Sequence, residues 1–264
     1  MEIRGAELSA DQAGDPDAPV DVVWGHGLTQ SRRAEDRRPL VRWERVPARV
    51  VRYDARGHGE SESTEALPGY GWGELARDQL ALADHLGIGR YVAGGASMGA
   101  ATALHAAVLA PERIRALVLA IPPTGWEARA AQAEIHAAGA STIETRGVEP
   151  VIAANATVDP PDPLRDDPDH RARGAENLRA WDPVRLARAM RGASGAQLPD
   201  REAVATIRCP VLVMGWTGDG AHPVGTIEEL ARLIPRAEVH VASTAADLAT
   251  WTDRTSAFVR ALVS

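Results

Sequence analysis

The chain has 264 residues, 45% of them hydrophobic, with a formal net charge of −7 and an isoelectric point near 5.6. This is enough for one large α/β domain or two small ones around a continuous core, and the acidic balance leaves no footprint for nucleic acid or an anionic membrane. The single cysteine, Cys209, rules out an internal disulfide, and all 29 basic residues are arginine, which removes Schiff-base and Ser-Lys mechanisms.

No apolar run approaches the roughly 20 residues of a membrane span, and MEIRGAELSA has neither the basic start nor the apolar stretch of a signal peptide. The expectation is a cytoplasmic protein acting on a small molecule. An N-terminal ribbon over IRGAELSA precedes short β-branched runs that alternate with helical patterns, the signature of a mostly parallel sheet covered on both faces. Predicted strands are VDVVWG around 21–26, RVVRYD (49–54), YVAGGA (91–96), RALVLAI (115–121), PVLVMGW (210–216) and AEVHVA (237–242). They run apolar rather than alternating, as strands buried on both faces do.

Between these runs, GELARDQLALADHLG puts Leu75, Leu82 and Leu86 at helical spacing, and Gly87 stops the helix. Gly99 to Ala110 reads as a small-residue helix buried behind a strand, and Val224 to Ile234 as a further helix. A last helix is expected from a capping Asp247 to Val263, burying Leu248, Trp251, Phe258 and Leu262. The interval from Pro122 to Arg208 breaks the alternation. It has no strand pattern, Pro and Asp turns in DPPDPLRDDPD (159–169), and a helical pattern in RAWDPVRLARAMRG (179–192). It reads as a helical cap, residues 122–208, set on a core of residues 1–121 and 209–264.

The strongest chemical signal is GGASMG, Gly94 to Gly99, a G-x-S-x-G between a strand and a helix. In that context the serine sits on a strained turn with its hydroxyl above the sheet, and the glycines let the chain pass closely. WGHGLTQS follows the first main strand, so the Leu28 amide can aim at the same point as the Met98 amide; such a pair makes an oxyanion hole worth about 3 kcal/mol per donor in acyl transfer. His26 reads as a structural turn residue.

A third signal, YDARGHGESE (53–62), completes a set that resembles the α/β-hydrolase superfamily, in which D-x-R-G-H-G-x-S follows the second main strand. The resemblance runs from about Val20 to the end of the chain. It implies a doubly covered parallel sheet with a helical cap, a serine nucleophile at Ser97, and structural roles for Asp54, Arg56, His58 and Ser61 beneath the site. Serine rather than aspartate at 97 argues against dehalogenase and epoxide hydrolase chemistry. The expected activity is hydrolysis of a carboxylic ester, lactone or related acyl compound, with no cofactor and no metal, since no His, Asp and Glu set has metal-ligand spacing.

Family order further asks for an acid after PVLVMGW, which Asp219 supplies, and for a histidine after AEVHVA, where this chain has Ala245 and Ala246. Three accounts stand open. His222 supplies the imidazole, oriented by Asp219 or Asp247; or a histidine has been replaced at Ala245 or Ala246; or the pocket serves binding or a non-hydrolytic reaction. A loop histidine before Pro223 can also simply cap the helix that follows. His240, inside a strand, reads as a core residue, and His85, His105, His136 and His170 carry no functional claim. Trp126 and Trp181 in the cap suggest a largely apolar pocket, although each taken singly reads first as a packing residue.

Overall fold

The computed structural model describes residues 1–263. Its strands are β1 (Glu2–Ile3), β2 (Ala6–Glu7), β3 (Ala10–Gly14), β4 (Asp21–Gly25), β5 (Arg49–Tyr53), β6 (Tyr91–Ala96), β7 (Ile114–Ala120), β8 (Val211–Trp216) and β9 (Ala237–Ala242). Its α-helices are α1 (Arg32–Asp36), α2 (Trp72–His85), α3 (Met98–Leu109), α4 (Arg129–Arg146), α5 (Glu149–Ala156), α6 (His170–Arg179), α7 (Pro183–Ser194), α8 (Arg201–Val204), α9 (Val224–Leu233), α10 (Ala245–Ala249) and α11 (Trp251–Ala261).

β1 and β2 form the expected ribbon, and a seven-stranded sheet follows in the order β3-β5-β4-β6-β7-β8-β9. Only β3 is antiparallel, paired along β5 from Ala10 opposite Tyr53 to Gly14 opposite Arg49. This edge strand was not readable in the sequence, because ADQAG has no β-branched residue. The parallel strands are buried on both faces, so neighbouring residues feed opposite cores. Val23, Ala93, Leu117 and Val213 pack against α2, α3 and α9, while Val22, Val92, Val118 and Leu212 pack with Trp43, Trp251 and Val259. No helix among the described residues is long and apolar enough to cross a membrane.

Two expectations change at the C-terminus. The last helix is broken in two at Thr250, and Asp247 is not its cap. Thr244 caps α10, accepting from the Asp247 N–H, while the Asp247 carboxylate accepts from the Thr244 N–H at 3.0 Å in a reciprocal capping box. The positions where family order asks for a histidine, Ala245 and Ala246, are thus the first residues of a capped helix.

Everything between β7 and β8 is helical or irregular, with a small core of its own: Ala140, Ile143, Leu178, Leu186, Ala187 and Met190. Its attachment to the sheet is polar as well as apolar. Arg185 Nη2 donates to Ser61 O at 2.6 Å, and Asn177 Nδ2 and Trp181 Nε1 both donate to Thr29 O, at 2.5 and 3.2 Å.

At the centre of the sheet, the turn from β6 into α3 passes directly over the end of β4. A β-carbon on Gly99 would overlap the Gly25 carbonyl, and one on Gly95 would overlap the Gly99 backbone. Both obstacles are backbone at the middle of the sheet, so neither can swing aside. Gly99→Ala is expected to lower stability by about 3 kcal/mol, the upper end of overpacking costs. Equilibrium urea unfolding checks it, and an unchanged midpoint refutes the close-contact account.

Candidate active site

Ser97 is the hinge between β6 and α3, with φ 52° and ψ −108°. Positive φ is disfavoured for a residue with a β-carbon, so the surroundings must hold it there. They do so through the backbone: Ser97 N–H donates to Ala120 O at 2.9 Å and Gly99 N–H to His26 O at 3.1 Å. The hydroxyl is left half-buried on the floor of a cavity above the carboxyl ends of the strands. Ile121, in the wall beside it, is also held at positive φ, 42°, with its N–H bonded to Met214 O at 2.6 Å.

The loop after β8 brings His222 to this hydroxyl. His222 Nε2 lies 2.8 Å from Ser97 Oγ, and Nδ1 lies 2.8 Å from Asp219 Oδ2. A carboxylate accepts only, so the ring proton sits on Nδ1 and Nε2 is the acceptor facing the serine. Asp219 is held in turn by Trp216 Nε1–H at 2.8 Å and Ala221 N–H at 2.9 Å. Burial works against its charge, but the His222 hydrogen bond and charge, helped by Trp216 and Ala221, outweigh it and hold its pKa down to about 2. His222 does not cap α9, whose N-cap is Pro223 without a side-chain bond, and Asp247 is occupied by Ser243 and Thr244. His240 is half-buried in β9, 3.3 Å from Thr250 Oγ1.

Leu28 and Met98 also line this cavity. His26 Nε2 accepts from Ala55 N–H at 3.0 Å, so its Nδ1–H donates to Gly27 O at 2.8 Å, where Gln30 N–H also donates. A trans peptide is planar with its C=O and N–H antiparallel, so fixing the Gly27 carbonyl there turns the Leu28 N–H the opposite way. His58 Nε2 lies 2.7 Å from Leu28 O and fixes the next peptide; burial pushes the pKa of this ring down to about 3 and keeps it neutral. Met98, the first residue of α3, leaves its N–H free as helix starts do. Among the described residues neither the Leu28 nor the Met98 N–H has a hydrogen-bond partner.

The D-x-R-G-H-G-x-S segment lies beneath. Asp54 accepts from the Arg32 and Glu60 N–H groups at 2.8 and 2.9 Å, Ser61 Oγ–H donates to Asp54 O at 2.6 Å, and Arg56 is bidentate to Asp78 at 2.9 Å.

The cavity is about 460 Å³ and is walled on one side by the sheet and on the other by the helical insertion. Its apolar surfaces come from Leu28, Trp72, Ile121, Leu164 and Trp216. The tryptophans expected there do not line it: Trp126 donates to Pro199 O and lies under Arg201, and Trp181 is spent on Thr29 and His58. Residues without a sequence-based claim do line it, including Glu35, Arg129, Gln132, His136 and His170. The spacing 129, 132, 136 is i, i+3, i+7 on one helix face and was the available signal. Among the described residues no three His, Cys, Asp or Glu side chains converge as a metal site.

Comparison with known proteins agrees with this architecture. Residues 38–253 match the family model described as alpha/beta hydrolase fold. 3-Oxoadipate enol-lactonase 1 of Acinetobacter baylyi is 29% identical over 86% of this chain and 80% of its own length. Its second enol-lactonase is 35% identical over 41% of this chain, a stretch that spans only 38% of that relative. The crystal structure of the enol-lactonase from Burkholderia xenovorans superposes with a TM-score of 0.77 at 24% identity, covering 99% of this chain and 96% of that one. With the family model covering most of its length and the fold, sheet order and elbow in place, the chain belongs to the α/β-hydrolase fold family.

Proposed function

We propose that the protein hydrolyses a small carboxylic ester or lactone, with Ser97 as nucleophile, His222 as general base and acid, and Asp219 as its orienting carboxylate. The observation that carries this reading is the unbroken relay Ser97 Oγ to His222 to Asp219, 2.8 Å at each step, on a serine held at positive φ. The enol-lactonase relatives bring cyclic esters within the range of acyl compounds considered.

Ser97 Oγ adds to the substrate carbonyl as its proton passes to His222 Nε2. Asp219 stabilises the resulting imidazolium through the Nδ1–H. The carbonyl oxygen becomes an anion between the Leu28 and Met98 N–H groups, which have no protein partner to give up first. Collapse expels the alkoxide, which takes the proton from Nε2, and leaves an acyl ester on Ser97. Water, deprotonated by the same nitrogen, then releases the acid; for a lactone the alcohol and acid are one molecule. In this reading residues 122–208 act as a cap over the core formed by 1–121 and 209–264, closing the cavity against bulk water. The relay through His222 favours the account in which the base has moved to the β8 loop over the accounts that leave the base missing.

Glu35 adds a neutral donor to the wall. Its one hydrogen-bond partner is Trp24 Nε1–H at 3.0 Å. Burial pushes its pKa up to about 8, with Asp36 and Asp54 adding to the rise and Trp24 and Arg52 opposing it.

His222→Ala is expected to lower turnover of a p-nitrophenyl ester by about 10⁴-fold or more, and Asp219→Asn by about 10⁴-fold, with unfolding midpoints little changed. Placing histidine at 245 or 246 in the His222→Ala background should restore nothing. Recovery there, or full activity without His222, would sink the assignment.

The Glu35 prediction concerns stability. The unfolded chain ionises this group near pH 4.5 and the folded protein near 8, so its contribution is full below pH 4.5 and is lost as pH rises to about 8. Glu35→Gln should therefore lose less stability than wild type between about pH 5 and pH 8. Equal losses by urea unfolding would show that the carboxyl ionises freely in the wall.

A further inference from the structure

β9 is the last strand of the sheet, paired on one side with β8 and on the other with no strand among the described residues. Two bonds at its ends fix which way its backbone groups turn. Val211 N–H donates to Arg236 O at 3.0 Å and Thr217 N–H to Ala242 O at 3.1 Å, with Val211 opposite Ala237 and Trp216 opposite Ala242. In a parallel ladder the N–H and C=O of one residue point to the same side, and the side alternates along the strand, so the even-numbered residues of β9 serve β8. Ala237, Val239 and Val241 turn theirs to the open edge. Ala237 N–H folds back to Ile234 O at 3.2 Å, but among the described residues neither Val239 nor Val241 has a backbone partner on that side.

The edge is accessible and regular. β9 has no proline, glycine or bulge, Glu238 is exposed and Val239 is 41% exposed. The opposite edge differs: β3, ADQAG, has no apolar side chain larger than alanine, and its Asp11 is drawn into ion pairs with Arg32 and Arg52. On one face of β9, Ala237 and Val241 pack with Ile227, Leu230 and Ile234 of the α9 segment; on the other, His240 Nε2 lies 3.3 Å from Thr250 Oγ1 at the end of α10. An unpaired strand with β-branched residues, supported on both faces, is a template for another strand.

The charges on β9 select which strand fits. When a second copy of β9 pairs antiparallel across a two-fold axis, outward-turned residues must meet outward-turned residues, and with most of the strand paired the axis falls at Glu238, Val239 or His240. An axis at Glu238 sets that carboxylate against its own copy, and an axis at His240 sets imidazole against imidazole. An axis at Val239 sets each Glu238 beside the other copy's His240 and brings the two Val239 side chains together, a favourable β-branched pair. The two Val239 residues then exchange N–H and C=O bonds with each other. Each Val241 N–H meets the Ala237 carbonyl of the other copy, so every open N–H of the edge is used.

We infer that β9 is the contact edge of a two-fold dimer of this chain, with the Val239 residues of the two copies opposite each other and the two sheets joined into one. The inference does not rest on the hydrolase reading. No residue of β9 lines the cavity, and the two-fold axis turns the carboxyl ends of the two sheets in opposite directions, so the contact leaves both cavities clear.

Sedimentation equilibrium of the wild-type chain should show a reversible monomer–dimer equilibrium with a dissociation constant on the order of 10 μM, as for a contact at the small end of specific interfaces. Val239→Arg, which puts two like charges at the axis, should weaken association by about tenfold or more. His240→Glu should weaken it severalfold, because Glu238 then meets a second carboxylate. Adding Glu238→His to His240→Glu exchanges the two sides of the pair and should recover most of the affinity; with an axis at 238 or 240 the double variant would still oppose like with like. Urea unfolding at low protein concentration checks that each variant is folded, and Val239→Arg, at an exposed position, carries the test of the contact even where a change at His240 disturbs α10. A wild-type chain that stays monomeric up to about 50 times that dissociation constant, or a dimer as tight in Val239→Arg as in wild type, overturns the contact, the case of an edge that takes an extended peptide of another protein included. A dimer weakened by Val239→Arg but not recovered in a folded double variant overturns the axis at Val239.

Discussion

The backbones of Gly25, Gly95 and Gly99 meet at the top of the sheet with no room for a side chain, and the geometry of the site follows from that contact. Because α3 starts directly against β4, the chain must reverse within one residue after β6, and Ser97 takes the positive φ that the reversal requires. The same contact puts the turn after β4 beside the serine, where a β-carbon on Gly27 would lie 3.8 Å from Ser97 Cβ. The strain at Ser97 is distributed over a buried sheet whose central strands have almost no exposed atoms. A rigid floor is what a pair of unpartnered amides needs, since a mobile loop would turn them toward protein acceptors.

The presence of His222 and Asp219 on one loop has a structural consequence. With His222 three residues after Asp219, the carboxylate also accepts from the backbone between them, at Ala221, and from Trp216 at the end of β8. The loop is thus closed by the very bonds that orient the imidazole, and Ala221 O in turn accepts from Thr124 N–H at 3.0 Å, which ties it to the segment after β7. This arrangement leaves the segment after β9 without a role at the relay. There the chain forms an ordinary capped helix, and Asp247 spends its carboxylate on Ser243 and Thr244.

What could be read from the sequence follows from what kind of physics each feature rests on. The strands of the parallel sheet and the elbow were readable because local patterns encode them: unbroken apolar runs such as VLVM, and glycines where backbones touch. The edge strand β3 was not, since ADQAG is placed by its partner β5 rather than by propensity. The split between α10 and α11 turns on Thr250, whose hydroxyl bonds back to Asp247 O at 2.7 Å, a choice made by side-chain geometry. For the cavity wall, the packing reading of Trp126 and Trp181 is the one that holds, and the aromatic residue that does line it, Trp72, had no claim on it in the sequence. Trp126 and Trp181 each found a carbonyl for the indole N–H and became fasteners, whereas Trp72, placed in a helix of the core, did not.

That contrast has an energetic side. Indole N–H groups, guanidinium ions and amides are satisfied by protein wherever their role is to hold the insertion to the sheet, as at Thr29 O and Pro199 O. Where the same chemistry lines the cavity, the Trp72 indole N–H has no partner among the described residues, and Arg129 is bonded to neutral acceptors alone. The ionised carboxylate of the wall, Asp219, is already committed to His222, and Glu35, with its pKa near 8, is largely uncharged at neutral pH. Arg129 and Trp72 therefore carry a desolvation cost that the carbonyls at the end of α7 only partly offset, and it is borne at the seam where the insertion meets the core.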